Sequence, residues 1–127
     1  LLYFLLRKAG IIKTTPPWEK AMDRLDGLDT TQNQVVVLAK LTDILKSYTA
    51  ERFQIAASAK TSTEFLSSIK KIESIPADQL EDLPWLARVA DAAKFAGKEP
   101  PADSSTRAMS VVRTFVEKTT PQDNPDA

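Results

Sequence analysis

Val35 to Leu66 reads VVVLAKLTDILKSYTAERFQIAASAKTSTEFL, and this stretch decides the fold. With Val37 at zero on a wheel of 100° per residue, Val37, Leu38, Leu41, Ile44, Leu45 and Tyr48 fall in one sector about 120° wide, while Lys40, Asp43, Lys46 and Ser47 lie outside it. That spacing predicts a helix with one face in the core. The β-branched run Val35 to Val37 would suit a strand, but the alternation stops at once and no second strand-like run exists to pair with it. After Tyr48 the stripe next reaches Arg52. Either the helix ends near Ala50, or Arg52 lays its aliphatic stem along the core and keeps its head in water. A second helix opens at Thr61, where TSTE forms a capping box and Phe65, Leu66, Ile69 and Ile72 make the buried face. Two helices joined by a tight turn, with the rest of the chain laid against them, is the expected plan.

Composition narrows the chemistry. The 127 residues suffice for one core. Seventeen basic and seventeen acidic side chains cancel, so there is no overall electrostatic footprint for nucleic acid. Cysteine and histidine are absent. Disulfides, thiol nucleophiles, imidazole or thiolate metal ligands and triads of the Ser-His-Asp kind are thereby excluded. Three glycines cannot build a phosphate cradle.

The chain starts with LLYFLL, apolar on every side, followed by Arg7, Lys8 and Gly10. Six residues of helix span about 9 Å against about 30 Å of hydrocarbon, so the run cannot cross a bilayer alone. Residues 1–9 read as the end of a transmembrane helix. Arg7, Lys8 and Lys13 would then keep the following domain on the cytoplasmic side. The alternatives are a short core helix or a strip that packs on a neighbour. Residues 10–15 form a connector, and 16–119 an all-helical domain.

Within that domain, Pro16 and Pro17 start a helix carrying Trp18, Ala21, Met22 and Leu25. Gly27 and Leu28 suggest a left-handed Schellman ending. The polar loop 29–34 supplies caps for the helix at Val35. Pro76 and Asp78 begin a short turn, and Pro84 restarts a helix whose apolar residues cover most of its circumference, so it should be sandwiched. Asp91 and Lys94, three apart on its one polar edge, face water or each other. Gly97 closes it. Asp103 to Ser105 should cap a last helix with Ala108, Met109, Val112, Phe115 and Val116 buried. From Thr119 onward, and certainly over residues 120–127, the chain has nothing to bury and reads as a disordered tail. The whole is an all-α bundle of about five helices.

Candidate chemistries are few. Asp78, Glu81 and Asp82 sit within one turn, where clustered acids ordinarily favour the helix dipole. A carboxylate-based enzyme would need a pocket around them. Residues 35–73 also invite a helix-turn-helix reading, with Lys60, Thr61, Ser62 and Thr63 leading a recognition helix. Neutral net charge, Glu64 and the lack of arginine there favour a packed capping turn instead.

Three segments carry a family resemblance: YTAERFQI from Tyr48 through Arg52 and Phe53 to Ile55; TSTEFL containing Thr63, Glu64 and Phe65; and DAAKFA containing Asp91, Lys94 and Phe95. With the apolar start and the aromatic helix at Trp18, the chain resembles the cytoplasmic helical domain of an uncharacterised bacterial family. Its members are single-pass inner-membrane proteins encoded beside MoxR-type AAA+ ATPases and von Willebrand factor A domain proteins, as in Bat-type operons. Many of those relatives carry a long arginine-rich stretch where this chain has Arg7, Lys8 and Lys13. The resemblance implies a bacterial inner-membrane location with the domain facing the cytoplasm. It also implies protein partners of those two kinds, with no enzymatic activity, cofactor, metal, nucleic acid or small-molecule substrate. The ten residues Trp18, Tyr48, Arg52, Phe53, Thr63, Glu64, Phe65, Asp91, Lys94 and Phe95 become the interaction or structural signature to locate.

Overall fold

A computed structural model describes residues 2–10, 14–57 and 60–121. Six helices follow in order: α1 (Leu2–Lys8), α2 (Pro17–Asp26), α3 (Gln34–Phe53), α4 (Ser62–Lys70), α5 (Leu83–Phe95) and α6 (Ser104–Thr119), with one 3₁₀ turn at Ala77–Leu80. The described residues contain no strand. No helix among them is long and apolar enough to cross a membrane.

The organising element is α3. All six residues of its expected stripe are buried, and α2, α5 and α6 pack around it. Burying a side chain such as Leu38 or Leu41 stabilises the fold by about 1.5–3 kcal/mol, so a stripe of this length outweighs the modest helix propensity of Val35 to Val37. Asn33 caps the start by accepting the Val35 N–H at 2.8 Å. The helix runs past Ala50 to Phe53 and stops where Gln54 turns left-handed (φ 59°). Of the two readings of Arg52, the one that keeps it in the helix is the observed one, and its side chain is half-buried with Nε donating to the Thr119 carbonyl.

The expected helical hairpin takes a different form. Phe65 and Ile69 of α4 enter the same core as α3, yet the helix lying closest along α4 is α5. Phe65 and Leu66 of α4, Leu86 and Ala87 of α5 and Leu45 of α3 meet around one small cavity. The capping box is as read. Thr61 Oγ1 accepts the Glu64 N–H at 3.2 Å, and Glu64 Oε1 accepts the Thr61 N–H at 3.5 Å.

Four further expectations need correction. Gly27 has an ordinary φ of −86°, so α2 ends in a right-handed turn; Leu28 still folds back onto the core. α5 is sandwiched as expected among α3, α4 and α6, with Leu86 and Ala93 buried and Trp85 and Ala92 half-buried, but its last residue, Phe95, is 75% exposed rather than covered. The start of α6 is not capped by the Asp103 side chain: Asp103 sits at φ 65°, its carboxylate accepts no cap hydrogen bond, and only its carbonyl accepts, from the Arg107 N–H at 3.0 Å. Gln34 of α3 takes over. Its Oε1 accepts the Ser105 N–H at 3.1 Å, while its Nε2 donates to the carbonyls of Pro100 and Pro101. Thr119, expected to open the tail, is the buried last residue of α6. Residues 122–127, where the rest of that tail falls, lie outside the described residues, as does Lys13.

Candidate functional site

The fold divides the ten signature residues into four groups. Glu64 and Phe65 are structural, one in the capping box and the other in the core. Trp18 is half-buried near the start of α2, its ring stacked on Phe4 of α1 with centroids 6.0 Å apart. Leu2 and Leu5 on the same short helix are 70% and 57% exposed.

The second half of α3 gathers Tyr48, Arg52 and Phe53 against the end of α6. The Tyr48 ring meets Phe53 and Phe115 edge-on at 6.4 and 6.2 Å, an arrangement that favours aromatic pairs beyond their buried area. Its hydroxyl lies 2.5 Å from Thr119 Oγ1. Thr119 has a single hydroxyl proton and gives it to the Phe115 carbonyl at 2.7 Å. The Tyr48 hydroxyl is therefore the donor of that pair. Burial pushes the Tyr48 hydroxyl above its ordinary range, partly offset by the Arg52 charge. Arg52 Nε donates to the Thr119 carbonyl at 3.2 Å, and its guanidinium lies 4.7 Å from the Phe53 ring centroid. This cluster fastens two helix ends together.

Thr63, Asp91, Lys94 and Phe95 come together in the largest groove described, about 640 Å³, between α3, the first turn of α4 and the last turns of α5. Val35 and Ala39 form an apolar wall on α3, and Ala90 and Ala93 one on α5. Asp91 and Lys94 do not pair. Asp91 Oδ1 accepts from Ser62 Oγ at 2.7 Å, tying α5 to α4, and the Lys94 ammonium lies 5.1 Å from the Phe95 ring centroid. Lys46 donates to the Lys60 carbonyl at 3.1 Å and so closes the groove at the other side. The lining carries cations (Lys46, Lys60, Lys94), carboxylates (Asp43, Asp91) and hydroxyls (Thr42, Thr61, Ser62, Thr63). Such a surface can hold an extended segment by hydrogen bonds and apolar contact, with Phe95 at its rim.

Sequence reasoning missed Ser62 and Lys46, which fix the groove's shape. Ser62 reads locally as part of a cap; its partner lies 29 residues away. Of the three acids near residue 80, Asp78 and Asp82 share one cavity and Glu81 is not among its lining residues. Asp78 and Asp82 are exposed and line a cavity of about 200 Å³ together with Arg107 and Lys118, and Asp82 lies 3.7 Å from Arg107. Among the described residues no three acidic side chains cluster closely enough to share a metal ion.

No protein-family model matches this chain, and no curated protein or solved structure matches it either.

Proposed function

We propose that this chain is a membrane-tethered helical interaction domain that docks partner proteins in the α3–α4–α5 groove. The observation that carries it is the exposure of Phe95 on the rim of that groove. A large aromatic left in water at the end of an otherwise well-packed helix is the kind of anchor that interfaces use. The partners are a MoxR-type AAA+ ATPase and von Willebrand factor A domain proteins, and the domain faces the cytoplasm at a bacterial inner membrane. Support for this part comes from the resemblance of the three quoted segments, and from an apolar start followed by Arg7 and Lys8. The exposed Leu2 and Leu5 suit a segment that continues into lipid.

Affinity capture from solubilised membranes tests the proposal, comparing the wild-type chain with Phe95→Asp. Recovery of the ATPase and the von Willebrand factor A proteins by the wild type, with loss in the variant, is the expected result. Recovery of neither class by the wild type overturns the partner assignment. Equal recovery by both baits overturns the groove as the docking surface.

A further inference from the structure

A second cavity, remote from the groove and about 280 Å³ in volume, lies where the ends of α3 and α6 meet; Arg52, Phe53, Ser74, Gln79, Lys118 and Thr120 contribute to its lining. We infer that it binds an oxyanion, a carboxylate or a phosphate group, between Arg52 and Lys118. Among the described residues its lining contains two cations, hydroxyls and an amide, and no Asp or Glu. No carboxylate among the described residues lies within 4 Å of either cation, whereas Lys20, Arg107 and Arg113 each have one. Lys118 also lines the neighbouring cavity with Asp78 and Asp82, but makes an ion pair with neither.

Arg52 is held in place before any ligand arrives. Its Nε is committed to the Thr119 carbonyl and its plane rests against Phe53. The guanidinium also interacts with the Tyr48 hydroxyl. Its terminal nitrogens are paired with no carboxylate among the described residues, which leaves donors of the kind that carboxylate and phosphate groups accept. Ordering the side chain in advance lowers the entropy lost on binding. The volume is several times the ~30 Å³ share of a water molecule, enough for such a group with part of its hydration.

A competing explanation is that both cations merely offset two helix ends, because Arg52 is in the last turn of α3 and Lys118 in the last turn of α6. The magnitudes decide against that as the whole account. Each helix end contributes roughly −0.5 charge, so two ends offset about one of the two positive charges and leave about one uncompensated.

Titration of the full isotope-labelled chain tests this, with inorganic phosphate in one arm and acetate in the other at constant ionic strength. The Arg52 Nε–H resonance is followed by NMR. Saturable shifts in the low-millimolar range are expected, with the tighter arm identifying the group. Lys118→Ala should weaken binding about fivefold, as loss of an exposed ion pair does, and Arg52→Gln should abolish it. Because Arg52→Gln also removes the Thr119 contact, Lys118→Ala, a change at an exposed position, is the decisive variant. No saturable response to either anion, or an unchanged response in Lys118→Ala, overturns the site. Neither result touches the groove, so this inference and the docking proposal stand or fall separately.

Discussion

The Tyr48 hydroxyl donates to Thr119 Oγ1 at 2.5 Å, a buried hydrogen bond between residues 71 positions apart. It continues through the Thr119 hydroxyl to the Phe115 carbonyl, so a side chain of α3 completes the backbone of α6. Arg52 adds a second link one helical turn further on, to the Thr119 carbonyl itself. The end of α6 is thus fixed by contacts that no local signal announces.

Removing that hydroxyl has a definite consequence. Tyr48→Phe keeps the ring contacts with Phe53 and Phe115 and loses one buried hydrogen bond, at a cost of about 1–1.5 kcal/mol. Thr119→Val costs more, because it strands the Tyr48 hydroxyl without an acceptor. The double variant should be less destabilised than the sum of the two, with a coupling of about 1 kcal/mol. Urea denaturation of the four proteins measures it; strictly additive values would mean the pair is not coupled.

The same hydroxyl gives a pH dependence. Burial raises the Tyr48 pKa above its value of 10.0 in the unfolded chain. Between the two values the unfolded chain has lost the proton that the folded chain retains, so stability falls as pH rises. The contribution is whole below about pH 10 and drains away as pH climbs toward the folded pKa. Thermal melts from pH 8 to 11 should therefore show wild type converging on Tyr48→Phe at the alkaline end. Parallel curves would contradict the assignment.

Where sequence reasoning succeeded and where it stopped can be traced to particular residues. The α3 stripe and the Thr61–Glu64 box were legible because both are repeats or pairs within a few residues. Proline starts for α2 and α5 were legible for the same reason. Gln34 was not: its amide caps α6 from 71 residues away, and a local reading assigned that task to Asp103 and its neighbours. The candidate site was half legible. Thr63, Asp91, Lys94 and Phe95 were singled out as separate motifs, but only the fold places them in one groove. A helical wheel that is apolar almost all round cannot say where the neighbours stop covering it, and on α5 they leave the last residue, Phe95, in water.

Gln34 allows that long-range cap to be tested. Gln34→Leu keeps most of the side-chain volume but removes the acceptor for the Ser105 N–H and the donor to the Pro100 and Pro101 carbonyls. Loss of an N-terminal cap costs about 0.5–2 kcal/mol. Amide exchange should report it locally, with the Ser105 N–H exchanging faster relative to amides in the middle of α6. A uniform change across α6 would argue for general loosening instead.

Backbone conformation supplies an opposed pair of variants. Gln54 ends α3 at φ 59°, and Gly97 follows α5 at φ 60°, where the Lys98 N–H reaches back to the Ala92 carbonyl at 3.2 Å. A left-handed conformation costs an ordinary L-residue roughly 1–2 kcal/mol and glycine almost nothing. Gln54→Gly should raise stability by about 0.5–1 kcal/mol, net of its exposed bond to the Glu51 carbonyl. Gly97→Ala should lower it by about 1 kcal/mol although a Cβ there would touch nothing within 4 Å. Denaturant midpoints measure both, and equal signs would refute the conformational account.

Phe65 and Phe95 put the division between core and rim to a direct test. Both looked like helix-face aromatics, yet Phe65 is 3% exposed and Phe95 is 75% exposed. Phe65→Ala opens a cavity beside Leu45 and Leu86 where the neighbours cannot fully collapse, and should cost about 3–5 kcal/mol. Phe95→Ala removes a ring already in water and should change stability by less than about 0.5 kcal/mol. If the groove docks a partner, the same truncation should weaken capture severalfold, because an exposed aromatic anchor acts on binding rather than folding. Melting curves and partner capture on one preparation separate the two effects. A Phe95→Ala chain that melts several degrees lower would mean that this ring is covered by the domain itself, and the groove would then have no anchor to offer.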